Sequence, residues 1–263
     1  MARVSVTTSQ EQAVVIPRSR EEAVAAFGAG DGVTVMGGGT ILMPELTSGR
    51  VRPERVLLLG RAGLDGQKED GARLVIGAGV RIADLVDAPE PLGTAARRVG
   101  DAEIRSQATL GGNLCATAGA DYPRGDLQAP LIALGATVRS AGAGGERVEP
   151  VQEFLAGDPS SRLVLEVEVP TDRRGAYASV GRPHAHSYTI LAVSGSVGPD
   201  GSDLRLAAAG AGPKSVRLDG PDGDPASSAG VALADDALAS TWYRKKMLPV
   251  LVARVLSDLK ENA

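Results

Sequence analysis

The stretch VTVMGGGTILMPEL, Val33 to Leu46, places three consecutive glycines between an apolar run of strand character and an apolar run of helix character. Glycine tolerates positive φ and lets other groups approach its backbone closely, at an entropic cost. Three in a row therefore imply a return, and the expected return is a row of backbone N–H groups free to hold an anion. Around this loop, VTVM (33–36) reads as a short buried strand, and Thr40 is placed to cap a helix beginning at Ile41. Upstream, SREEAVAAFGAG opens with Ser19 and Glu22 in capping-box spacing, and Ala23, Ala26 and Phe27 give it a helical face that ends near Gly28 or Gly30.

A second glycine cluster, SQATLGGNLCATAG (106–119), carries Thr109, Gly111, Gly112 and Asn113 in a segment with little helical periodicity. It is chemically like the first, Gly37, Gly38, Gly39 and Thr40: unobstructed N–H groups beside side-chain hydrogen-bonding groups. Two such loops can face each other across a diphosphate. A P-loop requires a lysine after its glycines, and neither loop has one. A cradle without lysine suits a phosphate that is held and not cleaved, as in a dinucleotide cofactor. The same clusters also serve as plain tight turns. Asp126, soon after the second loop, is suited either to ribose hydroxyls or to a simple helix N-cap.

The rest of the chain alternates elements. RVLLLG (55–60) and ARLVIGAG (72–79) read as strands, with a short helix around RIADLV and another over 91–100. DLQAPLIALG (126–135) reads as a helix in which Pro130 is expected to kink. TVRSAGAGGERVEP (137–150) is strand, turn, strand, and RLVLEVEVP (162–170) is a half-buried strand. The segment 171–185 reads as a linker. Two strands follow, SYTILAVSGSV and LRLAAAGAG, then a loop over 220–230 and a long helix capped by Ser240 and bent at Pro249. The pattern predicts an α+β or α/β class with at least two units.

Composition narrows the function. The 263 residues carry a net charge of -4, 43% hydrophobic and 23% charged residues, and 3% aromatic residues. An acidic, aromatic-poor chain is no nucleic-acid binder. The one cysteine, Cys115, excludes a disulfide framework and a cysteine-ligated cluster within the chain, and reads as a buried structural thiol. No basic-then-apolar leader and no apolar run of about 20 residues is seen, so a cytoplasmic setting without a membrane span is expected. GAGVRI (77–82) lacks the third glycine of a dinucleotide fingerprint, which argues against a Rossmann fold. GAGPKS (210–215) reads as a turn. His184 and His186 lack a third ligand and read as a surface or domain-junction segment, so no metal site is expected. Asp101 and Glu103 read as a solvated pair, and no catalytic acid, base or nucleophile stands out.

Taken in order, these segments resemble the FAD-binding medium subunit of the molybdenum hydroxylases, the xanthine dehydrogenase and carbon monoxide dehydrogenase family. The likeness is carried by VMGGGTILMPEL, IGAGVRIADL, IRSQATLGGNLCATAGADYPRGDLQAPLIALGA, FLAGDPSSRLVLEVEVP and STWYRKKMLPVLVARVL, and spans nearly the whole chain. It implies an α+β fold that is not Rossmann: two FAD-binding subdomains, 1–55 and 56–170, and a smaller α+β C-terminal domain, 171–263. It implies that the backbones of Met36, Gly37, Gly38, Gly39, Thr40 and Ile41, and of Thr109, Gly111, Gly112 and Asn113, hold the FAD pyrophosphate. By the same resemblance Asp126 holds the ribose, Val164 lies beside the isoalloxazine and Tyr188 near the flavin. The partners implied are a molybdopterin-bearing large subunit and a small subunit with [2Fe–2S] clusters, in a heterotrimer that delivers electrons to NAD, a quinone or another acceptor. One departure stands out: Ser179 occupies the place where many relatives carry a lysine, before Arg182 and Pro183. A stand-alone flavin oxidoreductase and an FAD-less scaffold subunit are the alternative readings.

Overall fold

The structure, a computed structural model, describes residues 14–116, 125–181, 188–218 and 231–261. The first unit pairs β1 (Val14–Val15), β2 (Val33–Met36) and β3 (Arg55–Leu58) in a parallel sheet of order β1-β3-β2. Its helix α1 (Arg20–Phe27) starts at the predicted cap: Ser19 Oγ accepts the Glu22 N–H, while the Glu22 carboxylate reaches past the cap and accepts the Arg18 N–H at 2.7 Å. Ala23 and Phe27, on one face of α1, pack on Leu57 and Leu59 and on Leu163 and Leu165 of the next unit. Helix α2 (Leu42–Thr47) follows the first glycine loop, but Thr40 does not cap it. The N-cap is Ile41, with no side-chain bond, because the helix begins one residue later than the sequence suggests.

The second unit is an antiparallel sheet of order β4-β5-β8-β6-β7, formed by β4 (Gln67–Asp70), β5 (Arg73–Gly77), β6 (Thr137–Gly142), β7 (Arg147–Pro150) and β8 (Arg162–Pro170). Between β5 and β6 run α3 (Leu92–Arg98), α4 (Ala102–Gln107), α5 (Leu110–Leu114) and α6 (Gln128–Leu134), and α7 (Val151–Ala156) follows β7. The second glycine cluster is thus helical where little periodicity was seen. Thr109 caps α5, its Oγ1 accepting the Gly112 N–H, and one turn is too short for a pattern to register. Pro130 falls in the first turn of α6, where its missing N–H has no partner to lose, so it does not interrupt the helix. The N-cap of α6 is Leu127, so Asp126 is not the cap. Asp101, read as part of a solvated pair, caps α4 through the Ile104 N–H at 2.8 Å.

The third unit corrects the expected linker: Arg174–Gly181 is the strand β9. It is the edge of an antiparallel sheet of order β12-β11-β10-β9, with β10 (Thr189–Val197), β11 (Arg205–Ala209) and β12 (Val216–Arg217). The stretch reads as a break in composition, but β9 pairs with β10 along most of its length. Helix α8 (Thr241–Glu261), capped by Ser240, buries Leu248, Leu251, Val252 and Val255 on this sheet against Leu191 and Val193. The other face of β10 and β11 meets α6, where the Ser196 hydroxyl donates to Ala133 O at 2.6 Å. Ala192, Ala207 and Ala209 share one core with the second unit. His184, His186, Arg182, Pro183 and the 220–230 loop lie outside the described residues.

Candidate functional site

Where the first and second units meet, a cavity of about 1190 Å³ opens. Small-molecule sites typically occupy about 300–1,000 Å³, so this one has room for a large ligand. Met36, Gly37, Gly38, Gly39, Thr40 and Ile41 form one wall. Thr109, Gly111, Gly112 and Asn113 form the facing wall, and Asp126, Val164 and Tyr188 line it further along. Every residue assigned to the site from the sequence therefore lies on one surface. Ser179, in β9, does not line the cavity.

The two loops differ in what they offer. The N–H groups of Gly37, Gly38, Gly39, Thr40 and Ile41 donate to no acceptor among the described residues. The second loop uses its amides on itself and its neighbours: Leu110 N–H on Val80 O, Gly111 N–H on Ala78 O and Asn113 N–H on Thr109 O, each at 2.9 Å. Gly112 N–H is held by Thr109 Oγ1 at 3.3 Å. The first loop is thus the open row of donors, and the second is a stiff wall that presents side chains.

The glycines also have a role that the sequence did not show. A Cβ on Gly38 would overlap the Gln107 carbonyl, 2.6 Å from its carbon and 3.0 Å from Ala108 Cα. One on Gly37 would lie 2.5 Å from Thr109 Oγ1. Gly37 and Gly38 are therefore required by the seam between the loops, while Gly39, at φ +74, supplies the turn. On the second loop Gly111 abuts Ala78, whereas a Cβ on Gly112 would meet only Thr109 Oγ1, at 3.1 Å.

Asn113 is a strut. Its Oδ1 accepts the Leu127 N–H at 2.9 Å, which fixes the backbone beside Asp126. Gln128 continues the strut: Nε2 donates to Leu114 O and Ala116 O, and Oε1 accepts the Ser215 N–H from the third unit. Asp126 is 8% exposed and faces the cavity. Burial, and next to it the Asp126 charge, push the pKa of the Tyr177 phenol on β9 upward. Val164 is buried and apolar, and Tyr188 is half open at 43%. Burial pushes the Cys115 thiol up to about 12, so it is no nucleophile.

Sequence reasoning passed over several wall residues. Glu45 is buried and neutralised by Arg50 at 2.7 and 2.8 Å. Arg162 is buried, with Nε on Ser140 Oγ and Nη2 on Ser140 O and Gly145 O. Arg81, within GAGVRI, also reaches the wall. The glycines around it were the available sign: Gly79 donates to Leu64 O at 2.7 Å, which brings the 60–66 loop to the same surface. No group of His, Cys, Asp and Glu suited to a metal occurs among the described residues. No described helix is long and apolar enough to cross a membrane.

Comparison with known proteins gives a consistent result. Residues 8–172 match the family described as FAD binding domain in molybdopterin dehydrogenase. The chain is 28% identical to the carbon monoxide dehydrogenase medium chain of Hydrogenophaga pseudoflava, over 78% of this chain and 76% of that one. It is 27% identical to the glyceraldehyde dehydrogenase medium chain of Sulfolobus acidocaldarius, over 95% and 98%. In fold it is similar to a chain of the reconstituted carbon monoxide dehydrogenase from Oligotropha carboxidovorans, with a TM-score of 0.81, 24% identity and coverage of 95% and 98%.

Proposed function

The chain belongs to the family of FAD-binding domains of molybdopterin dehydrogenases, and on that premise we propose that it is the electron-transfer subunit of a three-part, cytoplasmic molybdenum hydroxylase. Its partners in this reading are a large subunit with the molybdenum cofactor and a small subunit with [2Fe–2S] clusters. The acceptor is NAD, a quinone or another small molecule. The domain limits that go with the reading fall near residues 55 and 170.

The observation that carries the proposal is the open row of N–H groups from Gly37 to Ile41 on a cavity large enough for a dinucleotide. The residues fit FAD. The first loop donates to the diphosphate, and the Thr109 hydroxyl faces it from the second loop. Asp126 accepts from ribose hydroxyls, held in place by the Asn113 strut. Val164 offers an apolar surface to the isoalloxazine, and Tyr188 stands beside it at the open end. Bound flavin supplies the conversion between one-electron donors and two-electron acceptors. The protein binds, orients and shields, and no side chain is assigned as a general acid or base.

The test is an absorbance spectrum of the purified chain, with heat-released cofactor identified by mass, followed by co-purification with its partners. Flavin bands, released FAD, and iron and molybdenum in the complex are expected. A colourless chain that takes up no added FAD refutes the reading in favour of a scaffold. FAD with no associated metal subunits favours a stand-alone flavoenzyme.

A further inference from the structure

The cavity wall poses an electrostatic problem for the ligand just assigned to it. An FAD diphosphate brings two negative charges, yet the wall carries the carboxylates of Asp65, Asp84, Asp101 and Asp126. Open amides supply only partial positive charge. The wall also carries two arginines. Arg162 is buried and committed to Ser140 and to the carbonyls of the 142–145 turn. Arg81 is exposed and its side chain makes no hydrogen bond or ion pair among the described residues.

Its position is defined by the backbone. Arg81 pairs with Thr109 in an isolated antiparallel bridge, closed by Ile82 N–H to Ala108 O and Leu110 N–H to Val80 O, each at 2.9 Å. Thr109 Oγ1 in turn abuts Gly37, the first of the open donors. Arg81 thus stands one strand spacing, about 5 Å, from the residue at which both loops meet. A guanidinium there can present a planar fork to two phosphate oxygens.

We propose that Arg81 is the counter-charge of the cofactor diphosphate, supplying from a neighbouring strand the cation that neither glycine loop contains. The proposal rests on the FAD-binding reading above and deepens it. Arg81 is a binding residue. It acts on the part of the cofactor that does no redox chemistry, so its loss weakens retention of FAD without altering the flavin's surroundings.

The experiment titrates the deflavinated full chain with FAD, with ADP and with riboflavin, which has no phosphate. A charge-assisted hydrogen bond accounts for roughly a ten- to hundredfold change in affinity. Arg81→Met is expected to weaken FAD and ADP by about that factor and to leave riboflavin unchanged. Arg81→Lys should recover part of the loss, because it keeps the charge but not the fork. The affinity of the unmodified chain should fall with added salt more steeply than that of Arg81→Met. Unchanged FAD affinity in Arg81→Met overturns the proposal. An equal loss of riboflavin overturns it too, and places the arginine on the isoalloxazine. An unmodified chain that binds no FAD sinks the parent reading instead, so the two failures are distinguishable. The exposed side chain, without a partner among the described residues, predicts equal thermal midpoints for the apo proteins, and a lowered midpoint in Arg81→Met would reassign the residue to folding.

Discussion

The substitution Gly38→Ala separates two accounts of the glycine loop. If the glycines only let a ligand approach, Gly38→Ala should weaken FAD binding and leave the ligand-free protein alone. The structure requires something else. The new methyl would overlap the Gln107 carbonyl and lie 2.6 Å from its carbon, and these are backbone atoms that no rotamer change can move. To bring the methyl to ordinary contact with that carbonyl oxygen the two loops must separate by about 1.5 Å. Overpacking of this kind costs about 1–3 kcal/mol. For a chain of this size each kcal/mol is about 2–4 °C in midpoint, so the apo protein should melt about 2–12 °C lower. Gly112→Ala is the control, because its methyl meets only Thr109 Oγ1 at 3.1 Å, on the cavity wall. It should leave the apo midpoint within about 2 °C and act on FAD affinity instead. Thermal melts of both deflavinated variants decide the matter. An apo Gly38→Ala protein that melts with the unmodified chain refutes the seam.

Two further predictions concern a strut behind the cavity and a thiol on its wall. Gln128→Leu removes a buried amide that serves Leu114 O, Ala116 O and Ser215 N–H together; the stranded backbone groups should lower unfolding free energy by about 3 kcal/mol, read from urea titration, and the second and third units should then separate in their transitions. Cys115 has its thiol pushed by burial from 9.0 up to about 12. At pH 8 the thiolate is about a thousandfold scarcer than in the unfolded chain, so thiol reagents should label it slowly until urea is added. The folded pKa lies above the unfolded one, so stability is full below about pH 9 and declines as pH rises towards 12; Cys115→Ala should flatten that decline.

What the sequence disclosed and what it hid divide by range. Ser19 with Glu22, Gly28 after Phe27 and the turn between β6 and β7 are local signals, and each lies where the pattern places it. The misread elements are those where a distant partner decides. The segment 171–185 reads as a linker by its composition, yet Arg173 is tied to Ser196 and Asp203, and the strand after it is held by β10. Thr40 has the chemistry of a cap, but the first loop holds it on the cavity wall one residue too early. Asp126 has the position of a cap, but α6 starts one residue further on, with Leu127 as its N-cap, and Asp126 lies on the cavity wall.

The same division explains the glycines. Their number is visible in the sequence and suggests one purpose, an unobstructed backbone for a ligand. The structure assigns them different purposes along the loop. Gly37 and Gly38 admit the second loop, about seventy residues away in the chain, and Gly39 makes the turn. Across the seam the N–H groups of the first loop stay open, while the second loop spends its own amides on Val80, Ala78 and Thr109. A rigid wall on one side and unpaired donors on the other make a preorganised anion site. In the proposed site Arg81, bridged by its backbone to Thr109 and on the cavity wall, adds a full positive charge to these partial ones. If the proposed diphosphate site is right, recognition rests on three segments together, and substitutions in any one of them should weaken FAD and ADP in parallel.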